Sequence, residues 1–440
     1  MKNDRSEFAI FGITFIRHIL ISAAFFIQLR VSFSQEYQEI ASFGWQAKPV
    51  GEFASGNDGS LFGVTGDSPG SIFRLDLGTH EISVVHQLDG SAGVAPPGGL
   101  LLASDGYFYG VTEEGGDFGK GTIFRFDPNT NLIEHIHHFS GPEGAHPKGG
   151  LVESPQGVIF GISQRGGGVD MGTVFVFDPV DESCLPIWNF EQSTGRFPIG
   201  RLLVSSDGYL YGTTSDGGKK GMGTIFRVDP AARSCLTLAH FNGTNGARPE
   251  GELQEMRRGV FFGVAAEGGK WNGGVVFRFT PRNRAISPLA TFRSMSINGS
   301  PVFPAGRTPK AGLVRGPDGW WYGVCEKGGE SDIGTIFRFD PRGKKLSLVH
   351  DFSASADFQM PHSKLWLGSD SALYSVADHG VFRVTLSGTP ALPVIQKATA
   401  ISGVAATLNG RFDPGDLVSQ WWFEWGTTEA LGNSTPRQTV

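Results

Sequence analysis

Short apolar runs recur along the chain at a nearly constant interval. The clearest runs are each centred on a phenylalanine, and these central residues are Phe73, Phe124, Phe175, Phe226, Phe277, Phe337 and Phe382. Successive members lie 51, 51, 51, 51, 60 and 45 residues apart. A fixed period of this length is typical of proteins in which each copy forms one supersecondary unit that stacks on its neighbours. The pattern therefore predicts seven copies of one repeat.

Two further columns keep register with the phenylalanine run. An aromatic residue occupies one place in every copy, followed by glycine in the first six and by serine in the seventh: Phe62, Tyr109, Phe160, Tyr211, Phe262, Tyr322 and Tyr374. Asp-Gly pairs precede this column at 58–59, 105–106, 207–208 and 318–319. Asp-Gly between apolar runs is a strong hairpin signal, because a type I′ turn needs positive φ. Each copy thus contains four strand-like runs, which is typical of a propeller blade.

The seventh copy supplies only three strands, and its fourth is found near the other end of the chain. Outer strands usually end in phenylalanine, and the segment ending at Phe43 closely matches the one ending at Phe292. We therefore expect residues 37–43 to pair with the sheet of residues 364–386, which removes a free edge. Residues 390–395 are the alternative closing strand, although their two prolines suit a ladder poorly. The predicted fold is an all-β, seven-bladed β-propeller over residues 35–388, closed by an N-terminal strand.

The two ends of the chain lie outside the repeat. Lys2, Arg5 and Arg17 precede an apolar run at 19–29, and small residues precede Gln35, which predicts a signal peptide over residues 1–34. An uncleaved anchor is the alternative. Residues 396–440 resemble the first strands of a fibronectin type III-like sandwich, which needs roughly 100 residues. We expect an incomplete, partial β-sandwich-like domain there.

The repeat columns resemble those of a known family. Leu202, Ser206, Asp207, Gly208 and Gly212 give the pattern Leu-x₃-Ser-Asp-Gly-x₃-Gly, and residues 223–227 read Gly-Thr-Ile-Phe-Arg. These columns resemble the GloVer repeat family, a Gly-rich tandem repeat of exported bacterial proteins, over about residues 50–386. The resemblance implies a propeller-like, secreted or cell-surface protein. It implies no particular reaction.

Composition and charge limit the classes of partner that we expect for this protein. The 440 residues include 64 glycines and carry a formal net charge of −6, with a sequence pI near 6.0. Nucleic acid and anionic membranes both favour a basic face, so neither is expected as the main partner. We expect a monomer without a membrane span after signal cleavage. A polysaccharide or a cell-surface protein is the expected partner.

Five copies carry a Gly-Gly pair between the second and third strands. We expect these loops to share one face of the disc with the linkers between blades. The predicted ligand-binding residues are the side chains before each pair and one loop tryptophan: Glu114, Arg165, Asp216, Glu267, Lys327 and Trp271. Alternatively, the glycines only make the turn, and Trp271 packs on a neighbouring loop. The linker at 293–310 is nine residues longer than its counterparts, and is either functional or a structural decoration.

The sequence contains few signs of catalysis. Histidines recur in outer strands, where we interpret them as surface residues and not as metal ligands. Cys184 and Cys235 are 51 apart in an apolar column, so we expect no disulfide. No catalytic motif was found, and neither a metal nor a cofactor is expected. The predicted function is an exported, non-catalytic binding or scaffold module; the alternative is a polysaccharide lyase or glycosidase built from loop carboxylates.

Overall fold

The computed structural model describes the propeller region and several separate strand segments. The described residues are 36–43, 47–89, 93–297, 300–353 and 360–386, with Ala9–Ile16, Phe26–Phe33, Val394–Thr399, Ala405–Phe412, Ser419–Gly426, Asn433–Ser434 and Gln438–Thr439. All regular elements among them are β-strands. Two compact units are present: residues 37–316 with 320–384, and residues 1–36 with 317–319 and 385–440.

In the larger unit, the described strands form seven antiparallel sheets, which we call blades 1 to 7 in chain order. Blades 1 and 2 comprise Pro49–Ser55, Leu61–Thr65, Ser71–Leu75 and Ile82–Gln87, then Leu101–Leu102, Phe108–Thr112, Thr122–Asp127 and Leu132–His138. Blade 3 comprises Ala145–Pro147, Val152–Glu153, Ile159–Arg165, Thr173–Asp178 and Ser183–Asn189. Blade 4 comprises Arg196–Pro198, Leu203–Val204, Leu210–Asp216, Thr224–Asp229 and Ser234–His240.

The remaining blades follow the same plan. Blade 5 comprises Gln254–Arg257, Val260–Ala265, Val275–Thr280 and Ala285–Thr291. Blade 6 comprises Met295–Ile297, Ser300–Pro309, Val314–Arg315, Trp321–Gly329, Thr335–Asp340 and Lys345–Asp351. Blade 7 comprises Trp366–Leu367, Leu373–Ala377, Gly380–Val384 and the N-terminal strand Tyr37–Ser42. The predicted seven-bladed propeller is confirmed.

The ring closes through the N-terminal strand, as predicted. Tyr37–Ser42 pairs antiparallel with Gly380–Val384 as the outer strand of blade 7. The backbone N–H of Phe43 donates to the carbonyl of His379 at 2.8 Å, and that of Thr385 donates to Glu36 at 3.0 Å. The alternative closing segment around residue 394 pairs instead with Ala405–Phe412. Both ends of the repeat region therefore belong to one sheet, in which they are hydrogen-bonded to each other.

The described strands of the smaller unit form two further sheets. Ala9–Ile16 pairs with Ala405–Phe412, and Phe26–Phe33 pairs with Ser419–Gly426. The two C-terminal segments that resemble a fibronectin type III-like domain are thus strands, and each pairs with a strand from residues 1–34. The signal peptide and the sandwich-like segment both stay predictions. The stretch between the two N-terminal strands lies outside the described residues.

The glycine of each aromatic-Gly pair makes room for a phenylalanine ring. Gly161 pairs with Phe175 of the neighbouring strand in blade 3. A Cβ atom at Gly161 would lie 2.3 Å from the ring of Phe175 and 2.8 Å from Leu151. Phe175 is completely buried, and the tip of its ring packs closely against the glycine. The same close approach recurs in blades 1, 2, 4, 5 and 6.

A second phenylalanine packs on this ring from the preceding blade. Phe139 ends the outer strand of blade 2, and its ring centroid lies 5.1 Å from that of Phe175 at 66°. Five equivalent pairs join other blades, with centroids 4.7–5.7 Å apart: Phe43–Phe73, Phe190–Phe226, Phe241–Phe277, Phe292–Phe337 and Phe352–Phe382. Edge-to-face aromatic pairs are stabilising beyond their buried area. The anchor phenylalanines and the phenylalanines of the outer strands therefore form part of the core between blades.

The tyrosines of the aromatic-Gly column are buried but keep a polar partner. The hydroxyl groups of Tyr109 and Tyr211 donate to Asp105 and Asp207 at 2.7 and 2.8 Å. Burial raises the pKa of both tyrosines, and the aspartate hydrogen bonds raise it further. In these two Asp-Gly turns the aspartate therefore also satisfies the tyrosine of the following strand, because a buried hydroxyl needs a partner.

One short segment from each blade lines a cavity of about 260 Å³ on the ring axis. The segments are residues 50–52, 97–99, 148–150, 199–201, 250–252, 310–312 and 362–364, which we call the axial triplets. Their backbones touch: a Cβ atom at Gly51 would lie 2.2 Å from the nitrogen of Gly99. Glycine is therefore required at Gly51, and Gly98, Gly149 and Gly251 approach the backbone of the next triplet in a similar way.

Four charged side chains of the axial triplets form ion pairs across the axis. Lys364 of blade 7 pairs with Glu252 of blade 5 and lies 3.6 Å from Glu52 of blade 1. Arg201 of blade 4 lies 3.5 Å from Glu52 and donates to the carbonyl of Leu151 at 3.0 Å. Burial lowers the pKa of Lys364, while Glu52 opposes this shift. The two acids and two bases neutralise one another, and the Lys364–Glu252 and Arg201–Glu52 pairs connect blades that are not adjacent.

We predict that Gly161→Ala destabilises the fold by about 1–3 kcal/mol, because the added methyl group overlaps Phe175 and Leu151. Gly168→Ala is the matched control, since nothing lies within 4 Å of a Cβ atom there. The control should change the free energy of unfolding by no more than about 0.5 kcal/mol. Urea unfolding measures both, and equal values for the two variants would contradict this packing.

We also predict that Lys364→Met destabilises the protein by about 3 kcal/mol, because it leaves Glu252 buried without a counter-charge. The double variant Lys364→Met with Glu252→Gln should recover most of this loss. Urea unfolding of wild type, single and double variants measures the effect. A double variant that is less stable than the single variant would show that the axial ion pair is not the cause.

Candidate functional site

The Gly-Gly loops and the linkers between blades lie on one face of the propeller, as predicted. The backbone N–H of Gly167 donates to Gly141 of the preceding linker at 2.9 Å. Gly218 donates in the same way to Gln192 at 2.7 Å, and Gly269 to Gly243 at 2.8 Å. We call this surface the Gly-loop face.

The Gly-Gly pairs themselves are required by the turn. Gly166 and Gly167 have φ values of 83° and 73°, in the left-handed region. A Cβ atom at Gly166 would also lie 2.6 Å from the nitrogen of Ala145 in the neighbouring linker. The turn conformation and the close packing therefore explain why glycine occupies both positions. The side chain before each pair is the part of the loop that differs from copy to copy.

A cavity of about 510 Å³ opens on the Gly-loop face between blades 4 and 5. Two of the predicted ligand-binding residues, Asp216 and Glu267, line it together. Phe197, Lys220 and Arg248 add an aromatic ring and two cations to the same wall. The repeat thus brings carboxylates, cations and an aromatic ring to one concave surface.

Both carboxylates of this cavity have an arginine partner. Asp216 lies 2.9 Å from Arg196, and Glu267 lies 3.4 Å from Arg248. The hydrogen bond from Arg196 lowers the pKa of Asp216, as does the backbone N–H of Gly217. Asp216 is consequently a charged hydrogen-bond acceptor at neutral pH and cannot serve as a proton donor.

A second cavity, of about 790 Å³, lies between blades 2 and 3. Its lining includes three basic residues, Lys120, His146 and Arg165, and one acid, Asp170. Arg165 lies 3.3 Å from Asp170, and Lys120 donates to the carbonyl of Ser140 at 2.6 Å. Several lining positions match those of the first cavity two repeats later, so the two cavities are equivalent in the repeat but differ in charge.

Aromatic rings on this face are in contact with cations. Arg165 and Arg196 lie 4.9 and 5.0 Å from the ring centroid of Phe197. Lys270 and Arg293 lie 4.7 and 5.8 Å from the ring of Trp271. Contacts of this kind are attractive because the ring face is negative. The half-buried Trp271 therefore packs against its own loop and against the beginning of the long linker.

The predicted site residues do not form a single group. Asp216 and Glu267 meet in the cavity between blades 4 and 5, and Arg165 lines the other cavity. The other three predicted residues line neither cavity, and they are Glu114, Lys327 and Trp271. The long linker forms a hairpin, Met295–Ile297 with Ser300–Pro309, that extends the inner edge of blade 6.

Sequence reasoning missed two residues of the cavity wall, Phe197 and Arg248. They are 51 residues apart and occupy the same place in consecutive copies, so the period could have identified the position. It also missed the axial charges. Arg201 and Glu252 are again 51 apart, but their partners come from distant copies, and repeat spacing does not reveal contacts across the ring.

The histidines and cysteines are placed as structural residues. His135 and His137 are half-buried, which corrects their interpretation as surface residues, and burial lowers the pKa of both. His135 contacts Thr122, and His137 lies 3.4 Å from Glu143. All three cysteines are free thiols, and burial raises the pKa of each. Among the described residues, no group of His, Cys, Asp or Glu is placed to bind a metal ion.

Comparison with solved structures shows the propeller fold. The extracellular domain of a putative one component system from B. thetaiotaomicron matches with a TM-score of 0.53 and 10% identity, over 89% of this chain and 45% of that chain. A GH74 xyloglucanase from Xanthomonas campestris matches with a TM-score of 0.54 and 12% identity, over 79% of this chain and 53% of that chain. The chain thus spans about half the length of these proteins. At such identities the likeness concerns the fold alone.

The extracellular domain of a putative hybrid two component system from B. thetaiotaomicron is also similar, with a TM-score of 0.51 and 10% identity, over 86% of this chain and 45% of that chain. No curated protein sequence matches the chain. In the part of the chain that the structure describes, no helix has the length and apolar character to cross a membrane.

The repeat itself matches a family model. Residues 48–234 and 187–385 both match the Gloeobacter/Verrucomicrobia repeat, and together they include all seven phenylalanine anchors. This match confirms the family resemblance of the repeat columns, while the C-terminal segment after residue 385 lies outside it. The chain belongs to the Gloeobacter/Verrucomicrobia repeat family.

Proposed function

We propose that this protein is an exported, non-catalytic binding or scaffold propeller that recognises a polysaccharide or a surface partner on its Gly-loop face. The observation that carries the proposal is the cavity between blades 4 and 5, where Asp216 and Glu267 lie together with Phe197, Lys220 and Arg248. Its volume of about 510 Å³ falls in the range typical of ligand pockets.

The chemistry of this wall suits a ligand rich in hydroxyl groups. Charged Asp216 and Glu267 accept hydrogen bonds, and Lys220 and Arg248 donate them. A sugar hydroxyl can do both, so a saccharide can use each kind of group on the wall. The mixed charge also disfavours a strongly charged ligand of either sign in this cavity. A neutral or weakly charged polysaccharide segment is therefore the ligand we favour for this cavity.

The ion pairs argue for recognition and against hydrolysis. A glycosidase needs one carboxyl group whose pKa is raised so that it can donate a proton. The pKa of Asp216 is lowered instead, and Glu267 is paired with Arg248. A lyase or glycosidase remains the alternative function, and release of new chain ends from a polysaccharide would identify it.

Export forms the second part of the proposal. The predicted signal peptide over residues 1–34 would place the mature N-terminus at Gln35, just before the closing strand Tyr37–Ser42. Cleavage there would leave the closing strand intact and would remove Ala9–Ile16 and Phe26–Phe33 from the two sheets of the smaller unit. The segment over residues 396–440 that resembles a fibronectin type III-like domain would then follow the propeller.

We predict that the purified protein binds members of a panel of environmental polysaccharides and releases no new chain ends. Glu267→Gln should weaken that binding by about tenfold, because an amide is a weaker acceptor and cannot pair with Arg248. Trp271→Ala tests the predicted loop tryptophan in the same way. Binding is measured by affinity electrophoresis, and chain ends by a reducing-sugar assay.

Glu81→Gln is the matched control, since Glu81 is an exposed residue beside the outer strand of blade 1 and should have no effect. Unchanged affinity of the Glu267 and Trp271 variants would reject this site. New chain ends that one carboxylate substitution abolishes would replace the proposed function with the enzymatic alternative.

A further inference from the structure

One backbone position near the start of the blade has the same unusual conformation in blades 2 to 7. It lies two residues before each axial triplet and has a positive φ of 49–57° without being glycine: Ala95, His146, Phe197, Arg248, Thr308 and Met360. We call this the ring position. Residues with a Cβ atom rarely adopt this region, and for Phe or Thr the strain is greatest.

Hydrogen bonds hold the ring position in this conformation. The backbone N–H of His146 donates to Lys120 at 2.9 Å, which belongs to the Gly-Gly loop of the preceding blade. Phe197 donates in the same way to Met171 at 3.0 Å, and Arg248 to Met222 at 3.1 Å. The backbone at this position is therefore fixed between two blades, whatever the side chain is.

The chain contains many glycines with positive φ, yet none occurs at the ring position. A second non-glycine position with positive φ occurs in the turns before the outer strands, and its members are all polar: His80, Asn131, Glu182, Arg233, Arg284 and Lys344. The ring position instead holds a methyl group, an imidazole, a benzyl group, a guanidinium, a hydroxyl and a thioether. Strain retained at a position of such varied chemistry indicates that the side chain is needed there.

The ring position also lies where a ligand would bind. His146 lines the cavity between blades 2 and 3, and Phe197 and Arg248 line the cavity between blades 4 and 5. Each of the six side chains is half-buried or exposed. Arg248 contacts Glu267, and Phe197 contacts Arg165, so the ring position touches two of the predicted ligand-binding residues.

We propose that the ring position determines the ligand specificity of the Gly-loop face, with one variable side chain in each of blades 2 to 7 on a fixed backbone. The proposal rests on the polysaccharide-binding function proposed above and names the residues that select among polysaccharides. His146, with Lys120 and Arg165, would select acidic sugar units in one cavity. Phe197 and Arg248 would select the units that bind in the other.

The test compares two identical substitutions. Arg248→Gly removes a ring side chain at φ 52°, and Arg233→Gly removes an arginine from an exposed turn of blade 4 at φ 46°. Glycine accepts positive φ freely, so both variants should fold and melt within about 2 °C of wild type. For a polysaccharide that wild type binds, Arg248→Gly should weaken binding by about tenfold, while Arg233→Gly should leave it unchanged.

A second pair of variants separates specificity from a general loss. Arg248→Asn removes the guanidinium and introduces a residue that tolerates positive φ. Arg248→Phe introduces the side chain that Phe197 places at the ring position of the preceding blade. We expect Arg248→Asn to behave like Arg248→Gly, and Arg248→Phe to change the order in which the panel of polysaccharides is bound. Wild-type binding order in Arg248→Phe would overturn the proposal.

The outcomes distinguish this inference from the function on which it rests. If Glu267→Gln loses binding while Arg248→Gly binds like wild type, the ring position is not a specificity position and the proposed function stands. If wild type binds no polysaccharide of the panel, the proposed function and this inference are both wrong.

Discussion

The contact between phenylalanine rings at the blade junctions is the interaction on which the rest of the structure depends. The anchor ring, such as Phe175, lies over the glycine of its own sheet on one side, here Gly161, and meets the terminal phenylalanine of the preceding blade. The glycine sets how deep the ring lies in its sheet, and the edge-to-face geometry sets how the next sheet is placed. Repetition of this unit curves the row of sheets until Phe43 meets Phe73 and the ring closes.

This constraint explains which parts of the sequence could be interpreted in advance. The core contacts recur at the same spacing, so aromatic and glycine columns predicted the blades, and the outer-strand phenylalanine identified Phe43 as part of blade 7. Contacts within one repeat or between neighbouring repeats involve residues that recur at the repeat spacing, so the sequence reveals them as periodic columns. The pairing of Lys364 with Glu252 leaves none, because it joins residues more than one hundred positions apart across the axis. The strands of the smaller unit likewise follow no repeat.

The candidate site was predicted only in part, for a related reason. Asp216 and Glu267 could be predicted because they occupy a varied position directly before the Gly-Gly pair that five copies share. Phe197 and Arg248 vary at a position that the sequence does not mark, since its special character is a backbone angle. A positive φ at glycine can be anticipated from the residue type, but at phenylalanine or arginine only the three-dimensional contacts reveal it. The hydrogen bonds to the preceding blade supply those contacts.

A rigid core and a variable face together would make the proposed binding efficient. Since the backbone around Phe197 and Arg248 is already fixed by the blade junctions, little main-chain entropy is lost when a ligand binds. Only side chains such as Arg248 must be ordered, and its ion pair with Glu267 already restricts it. Substitutions on the Gly-loop face do not touch the phenylalanine contacts, so the chemistry of the face can change from blade to blade while the fold is kept. The same separation explains how two equivalent cavities in one chain come to differ in charge.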